Sequence, residues 1–449
     1  MTKEAFMRYT VYVNGVIEKT RDFLSAYKGK KLAVGLSGGR DSVCLLYAVL
    51  LCGVVDKSAV VAVHVNHRLR ETATRDEKFV TDLCARLGVE CLTYSVDVKG
   101  ECISSGQTVE QAARNLRYGV FEDIIKSGRA DYILTAHHAL DNAESVLMHM
   151  FRGAGLDGLC GMQAANDGKR LLRPFLSVYP DELDEFAAQN KIEYVVDETN
   201  LIDDADRNFL RLNVIPLIEQ RYRGVVRSVN ALSDECKAAS GVLDGAIDRS
   251  KITRSFGAVV LDGSALSGAL AGRYVRAALE YFTTIDITRE QIERVVTLAH
   301  MRTGAVIELS CGIKAAKEYD CVALYLPRGE CAACTPVSLG ACFIDGLAVE
   351  IALTDAEPRS IVGGVVDFDK LSGAVIRFRR DGDVFTPCGG GTKKLKQYFI
   401  DRKVPSRLRD RIPLICRGNE VLVVVGMQIS DGVKVTAATK NKAAVKLRW

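Results

Sequence analysis

Through roughly the first 215 residues, short β-branched runs alternate with amphipathic helical stretches, and this alternation fixes the class of fold. KLAVGLS, SAVVAVHVNH, VECLTYSVDV, ADYILTAHH and IEYVVDET read as buried strands. Between them, DSVCLLYAVLLCG, TRDEKFVTDLCARLG, TVEQAARNLRYGVFEDIIKSG and DNAESVLMHMFRGAG space their apolar residues as helices do, and most close on glycine. Strand, helix, strand in repetition joins parallel strands with a single hand, so the expected architecture is α/β, a doubly wound and mostly parallel sheet. Ligands of such sheets bind beyond the carboxyl ends of the strands, which is where the unusual motifs of this chain fall.

At 449 residues the chain exceeds one ordinary core. After RNFLRLNVIPLIEQRYR the pattern turns helical (AGRYVRAALEYFTT, TREQIERVVTLAHMRTG), then gives a short β-like stretch. Further on it becomes β-branched and Gly-rich around one helix, KKLKQYFIDRKV. Boundaries are therefore expected near 215 and 330, giving an α/β domain over 1–215, a mostly helical middle domain over 216–330 and a small α+β domain over 331–449. No apolar stretch is long enough to predict a transmembrane helix, and the acid-bearing N-terminus lacks a signal core, so a cytoplasmic location is expected. The 14 cysteines are scattered, several of them (Cys44, Cys52, Cys84, Cys321) inside apolar elements, as reduced thiols are. The pair in CAAC, Cys331 and Cys334, has no second pair or histidine to complete a metal set and reads as chance spacing. Net charge is only +4, but from Arg377 to Arg417 there are 12 Lys/Arg against 4 Asp and no Glu, which suits an acidic partner such as RNA.

The turn after the first strand, SGGRDS, carries the first chemical signal. Gly38 and Gly39 let backbone N–H groups converge on an anion, Ser37 and Ser42 add hydroxyls, and the following helix N-terminus adds partial positive charge. An ordinary capped turn would look similar. Neither the dinucleotide fingerprint nor the Walker A pattern fits, since the third glycine and the lysine are missing. An acid among phosphates is unfavourable unless a divalent cation lies between them, which makes Asp41 a candidate Mg²⁺ ligand. The pattern resembles the pyrophosphate-binding loop of the N-type ATP pyrophosphatases, which split ATP to AMP and pyrophosphate. That resemblance implies the adenine nucleotide α-hydrolase-like version of the α/β fold.

Further stretches narrow the choice. VHVNHRLR sets His64 and His67 near a strand end, more as hydrogen-bonding groups than as metal ligands. EQAARNLRYGVFED places Arg114, Arg117 and Tyr118 on one helix. LTAHHALDNAESVLMHMFRGAGLDGLCGM ends a strand on His137 and His138, then sets Asp141 and Glu144 three apart on a helix face, a spacing that a capping box also produces. DETNLIDDADRNFLRLNVIPLI supplies Arg207 and Arg211 on one face. In this order the stretches resemble the tRNA(Ile)-lysidine synthetase family, whose motifs are readable at His67, Arg114, Asp141, Arg152, Arg173-Pro174, Asn200 and Arg207. DGDVFTPCGGGTKKLKQYFIDRKVPSRLRDRIPLI looks like that family's terminal domain. Leu140 stands where the family usually has the first of two aspartates, Asn142 where it has glutamine, and Ser145 where it has threonine.

The resemblance implies a ligase that joins free L-lysine to C2 of the wobble cytidine of an AUA-decoding isoleucine tRNA with a CAU anticodon, switching its codon and amino-acid specificity from Met to Ile. ATP would adenylate the cytosine C2 oxygen with loss of pyrophosphate, and lysine would then displace AMP. Ser37, Gly38, Gly39, Arg40, Asp41, Ser42, His64, Arg114 and His137 would hold ATP, with Mg²⁺ on Asp41. Asp141 and Glu144 would hold the lysine ammonium, Arg207 the base or adenylate, and Lys393, Lys394 and Lys396 the tRNA backbone, while Arg211 would contact the substrate or tRNA. Asp41, Arg114, Asp141, Glu144 and Arg207 are the candidate catalytic residues. No membrane partner is implied, and the family commonly forms homodimers. A rival of the same loop, a tRNA thiolase, would need a catalytic cysteine or iron–sulfur set beside the nucleotide; a non-enzymatic tRNA-binding protein would not need the complete loop chemistry.

Overall fold

The computed structural model describes residues 15–68, 73–195, 206–282, 287–327, 329, 334–356 and 364–448. The chain divides into two compact units, 1–245 and 246–449. Among the described residues no helix is long and apolar enough to cross a membrane.

The first unit is built on a six-stranded sheet of order β3-β2-β1-β4-β6-β5. These strands are Leu32–Gly35 (β1), Val60–Asn66 (β2), Glu90–Ser95 (β3), Tyr132–Leu134 (β4), Ala165–Asn166 (β5) and Leu171–Leu172 (β6). All pairings are parallel except that of β5 with β6. Leu32 and Val34 of β1 are fully buried against Val43, Leu45, Leu46 and Val49 of helix α1 (Arg40–Leu51), each such side chain contributing roughly 1.5–3 kcal/mol by leaving water. The chain runs outward in one direction through β2 and β3 and in the other through β4. The switch point therefore lies between β1 and β4, and the crevice there opens at their carboxyl ends, just before SGGRDS and TAHH.

The other expected helices are present, α2 (Ala73–Leu87), α4 (Val109–Lys126) and α5 (Ala139–Phe151), and a short helix not expected from the sequence, α3 (Val98–Ser105), follows β3. Thr108 caps α4 by accepting from the Gln111 N–H, as its place before VEQAA suggests. The strand expected at IEYVVDET does not form over its described residues, 192–195. There the Val195 N–H donates to the Gly38 carbonyl at 2.9 Å, so the segment closes over the glycine turn instead of joining the sheet. The buried pair Leu171 and Leu172 takes the place beside β4. Asn200 lies outside the described residues, as do Arg70 and Cys331.

The first unit ends at Gly245, later than the boundary expected near 215, because the helices after that point pack within it. Asn230 and Ser233, on α6 (Val225–Gly245), are buried polar groups that need partners on α5 and its loop. Asn142 Nδ2 donates to Asn230 Oδ1 at 2.7 Å, Asn230 Nδ2 to the Ala139 carbonyl at 2.9 Å, and Ser233 Oγ to the Cys160 carbonyl at 2.9 Å. Asn142 Oδ1 also accepts from the Met162 N–H at 2.7 Å. Gly161 sits inside this network at φ +63°, where a Cβ would strike Asn142 Oδ1 and come within 2.9 Å of Val146. Gly161→Ala is expected to cost about 1–3 kcal/mol through strain and overpacking, read as a lower urea midpoint. An unchanged midpoint would contradict this packing.

In the second unit the expected middle helices α7 (Ala271–Leu279) and α8 (Arg289–Ala299) are found, the latter with a Thr288–Gln291 capping box. They do not make a mainly helical body. They pack on an antiparallel sheet of Ile252–Ser255 (β7), Ala258–Asp262 (β8), Val306–Glu308 (β9), Lys314–Glu318 (β10) and Cys321–Tyr325 (β11), in the order β7-β8-β11-β10-β9, over a core including Leu261, Val275, Leu298 and Leu324. Tight turns at Gly257 and Tyr319, both at positive φ, fold the short apolar runs into hairpins. The remaining described strands form a seven-stranded and a four-stranded sheet. The helix Leu395–Asp401 expected from KKLKQYFIDRKV packs on the seven-stranded sheet.

Candidate active site

β1 delivers its turn at the end of a buried strand, and two features shape that turn. Gly38 adopts φ +95° with Val80 and Phe79 close behind it, so a side chain there would be strained and crowded. The hydroxyls hold the turn closed: Ser37 Oγ lies 3.1 Å from Ser42 Oγ, and Ser42 Oγ donates to the Gly39 carbonyl at 2.9 Å. Beneath it, buried His64 meets the Leu36 carbonyl through Nδ1 at 2.9 Å, bracing the strand end. The first N–H groups of α1 then face the crevice, as an anion requires.

The crevice is a cleft of about 830 Å³. Its lining includes Ser37, Gly39, Arg40, Asp41, Ser42, His64, His67, Arg114, His137, His138, Asp141 and Arg211. Among the described lining residues, five arginines (Arg40, Arg68, Arg114, Arg117, Arg211) face three aspartates (Asp41, Asp76, Asp141), a balance suited to a polyanion. The Arg114 guanidinium lies 5.0 Å from the Tyr118 ring centroid. His137 bonds Thr135 Oγ1 through Nδ1 at 2.9 Å; burial, above all, lowers its pKa to about 4, so it stands neutral near pH 7.

The sequence pointed to His137; the structure makes His138 the junction. His138 Nε2 is 3.5 Å from Asp41 Oδ2, and Nδ1 is 3.4 Å from Asp141 Oδ2. Burial alone would lower its pKa, but the two carboxylates outweigh that and raise it. For Asp41 burial alone would raise the pKa; His138 and Arg40 overturn it and lower the value to about 2. His138 and Asp141 also form the capping box of α5, with the His138 N–H donating to Asp141 Oδ2 at 2.9 Å. The box therefore joins His138 to Asp141, not Asp141 to Glu144, and the His-x-x-Asp spacing was its visible signal.

Glu144 is fully buried and does not line the cleft. Both its oxygens are taken: Arg207 Nε donates to Oε2 at 2.8 Å, Arg211 Nε to Oε1 at 2.6 Å, and Arg211 Nη2 to Oε2 at 3.0 Å. Arg211 Nη2 also donates to Asp141 Oδ1 at 2.8 Å, and Arg207 Nη2 to the Asp141 carbonyl at 3.0 Å. Arg207 and Arg211 share a face of a helical segment whose π-helical turn, Leu210–Val214, widens the spiral just where they meet Glu144. Glu144 thus anchors two arginines, and Asp141 is the acid left at the cleft wall. Leu140 packs among Leu147, Leu210 and Ile215, filling with apolar contact the position where an acid was expected.

Other positions that carried the resemblance lie outside the cleft's wall. Arg152 pairs with Asp206 at 2.8 Å, and Arg173 Nη1 donates to the Gln163 carbonyl at 2.7 Å. Of the basic stretch, Lys394 and Lys396 are exposed, whereas Lys393 Nζ is held on Asp401 at 2.9 Å. Arg377 is no surface charge; it is buried and bidentate on Asp383. Among the described residues lining the cleft there is no cysteine, and burial raises the nearby Cys44 thiol to about 12, far from a thiolate nucleophile.

Residues 13–218 match the PP-loop domain family and residues 374–449 the TilS substrate C-terminal domain. A tRNA(Ile)-lysidine synthase of Clostridium tetani is 31% identical over 94% of this chain and 95% of its own length. One from Clostridium perfringens is 31% identical over 95% and 97% of the two chains, and one from Bacteroides thetaiotaomicron 29% over 96% and 98%.

Proposed function

The chain belongs to the tRNA(Ile)-lysidine synthase family, and from that premise we propose that its cleft uses ATP to join free lysine to C2 of the wobble cytidine of a CAU-anticodon isoleucine tRNA. The observation that carries this reading is one cleft at the sheet's switch point in which His138 links the acid of the phosphate turn, Asp41, to the acid of the following motif, Asp141. A nucleotide-activation site and an amine site in such contact suit a two-step ligation through an adenylate.

In the first step the cytosine C2 oxygen attacks the α-phosphate and pyrophosphate leaves. The turn's N–H groups and the Ser37 and Ser42 hydroxyls bind the departing phosphates, and Arg114, at the cleft wall, neutralises charge that develops on the reacting phosphate. Among the described residues no group of three or more His, Cys, Asp or Glu side chains could hold a metal ion by itself. Mg²⁺ does not need one, since it commonly takes one or two carboxylates together with substrate phosphates and water, and Asp41 fits that role. Bound there, it would supply further charge neutralisation on the phosphates.

In the second step the lysine amine attacks C2 and AMP leaves. Asp141 faces the cleft and receives the ammonium or its proton, while Glu144 fixes Arg211 beside it. An anticodon loop presents its base unstacked at low cost, which lets the cytosine enter. We assign Lys394 and Lys396 to the tRNA backbone. Changing both to alanine is expected to weaken tRNA binding and to reduce the dependence of log affinity on log salt by about 1–2. Unchanged affinity and slope in filter binding would remove them from the interface.

The order of product release tests the two-step reading. Pyrophosphate should appear with ATP and tRNA alone, at about one equivalent per site, and AMP only once lysine is added. Release of both products without tRNA would contradict it.

A further inference from the structure

The fourth residue of SGGRDS is arginine, and its side chain does not point idly into solvent. Arg40 Nε donates to Asp41 Oδ1 at 2.8 Å, and its Nη2 lies 2.8 Å from the same oxygen. Its other terminal nitrogen, Nη1, bonds Asp184 Oδ1, on the helix Pro180–Gln189. The guanidinium is about three-quarters covered, with 24% of its side chain exposed, and it lines the same cleft as Asp41. His138 Nε2 lies 3.5 Å from the other oxygen, so both oxygens of the Asp41 carboxylate have nitrogen partners before any ligand arrives.

We propose that Arg40 is a displaceable counter-ion of Asp41, tethered by Asp184, which occupies the carboxylate in the empty turn and gives it up to a divalent cation when the nucleotide brings phosphates for the guanidinium to bind. The inference rests on the assignment of Asp41 as a cation ligand. Three features of the chain favour exchange over a permanent ion pair. The pair lies at the cleft surface, so neither group is sealed from an incoming ion. Asp184 is well exposed at 61%, so it holds the guanidinium near the turn while leaving it free to swing. A planar guanidinium with several donors can keep Asp184 on one edge and take a phosphate on another. Arg40 and the cation would then compete for Asp41 without nucleotide and cooperate with it, so that metal alone binds weakly and metal with ATP binds well.

The test uses Mn²⁺ as the probe, followed by electron paramagnetic resonance on the full-length protein. Without nucleotide, Arg40→Gln and Arg40→Met should each bind Mn²⁺ about three- to tenfold more tightly than the parent. In the same variants the KM for ATP should rise by a similar factor, because the phosphates lose a partner. Using two neutral replacements of different shape guards against a packing artefact, and a thermal melt confirms that each folds. Unchanged or weaker Mn²⁺ binding in both folded variants would overturn the role of Arg40 while leaving Asp41 as the ligand. Asp41→Asn is the control: if it binds Mn²⁺ as well as the parent, the metal assignment itself fails and this inference with it.

Discussion

Replacing Asp41 with asparagine is expected to lower ATP-dependent pyrophosphate release by roughly a thousandfold or more while leaving tRNA affinity within about twofold of the parent. Asparagine preserves size and leaves the turn's hydroxyl bonds between Ser37 and Ser42 in place. What it removes is the negative charge, and that charge has two tasks. It offers the one carboxylate at the phosphate turn that fits a divalent cation, and it shares His138 with Asp141. Without it His138 is left with one acid, and the triphosphate meets an arginine-rich wall with no cation to bridge it to the protein. Lys394 and Lys396, assigned to the tRNA, are untouched by the change. Pyrophosphate release and filter binding on the same preparation separate the two effects, and parental turnover in Asp41→Asn would refute the assignment.

Glu144→Gln is expected to be the most destabilising single change in the site. A fully buried acid would lose its charge beneath two guanidiniums that it holds with bonds of 2.6 to 3.0 Å. Breaking a buried pair costs about 3–5 kcal/mol. Because both arginines keep more than a quarter of their side chains exposed, we discount this to roughly 2–3 kcal/mol, or about 4–12 °C in the melting temperature of the first unit. Activity should fall as well, since Arg211 would no longer be fixed beside Asp141. Asp141→Asn should do the reverse, with a small change in melting temperature and a large rise in the KM for lysine. If the two variants destabilised equally and neither moved the lysine KM, the division between anchor and cleft-facing acid would be wrong.

Much of this site was legible in the order of residues because its chemistry is local. SGGRDS states its turn through two glycines and two hydroxyls, and the Thr108 cap and the apolar spacing of α4 place Arg114 on a helix. What could not be read were the long-range pairings. Nothing near Glu144 says that Arg207 and Arg211 come back from 63 and 67 residues later to occupy both its oxygens, so it looked like a second free acid. Nothing near Arg40 names Asp184, 144 residues away. IEYVVDET has the composition of a strand, yet one hydrogen bond from Val195 to Gly38 commits it to the phosphate turn. The middle region failed differently: its helices were plain, but runs as short as Val306–Glu308 carry too little pattern to announce a five-stranded sheet.

The same pairing rule reshapes the basic stretch. Its excess of lysine and arginine suited an acidic partner. Burial of Arg377 on Asp383 and of Arg407 on Glu318 turns part of that charge inward, where it holds the second unit together. Charge counted along a sequence is an upper limit on charge offered to a partner.

One measurement tests the lysine-ligation activity most directly. The full-length protein is incubated with Mg²⁺, ATP, radiolabelled lysine and an unmodified CAU-anticodon isoleucine tRNA, and the digested tRNA is analysed by mass spectrometry. The account predicts label in the tRNA and a cytidine at the wobble position heavier by one lysine less one water, with both dependent on ATP and lost in Asp41→Asn. An unmodified wobble cytidine in tRNA that the protein demonstrably binds, with ATP present and the parent chain folded, would contradict it.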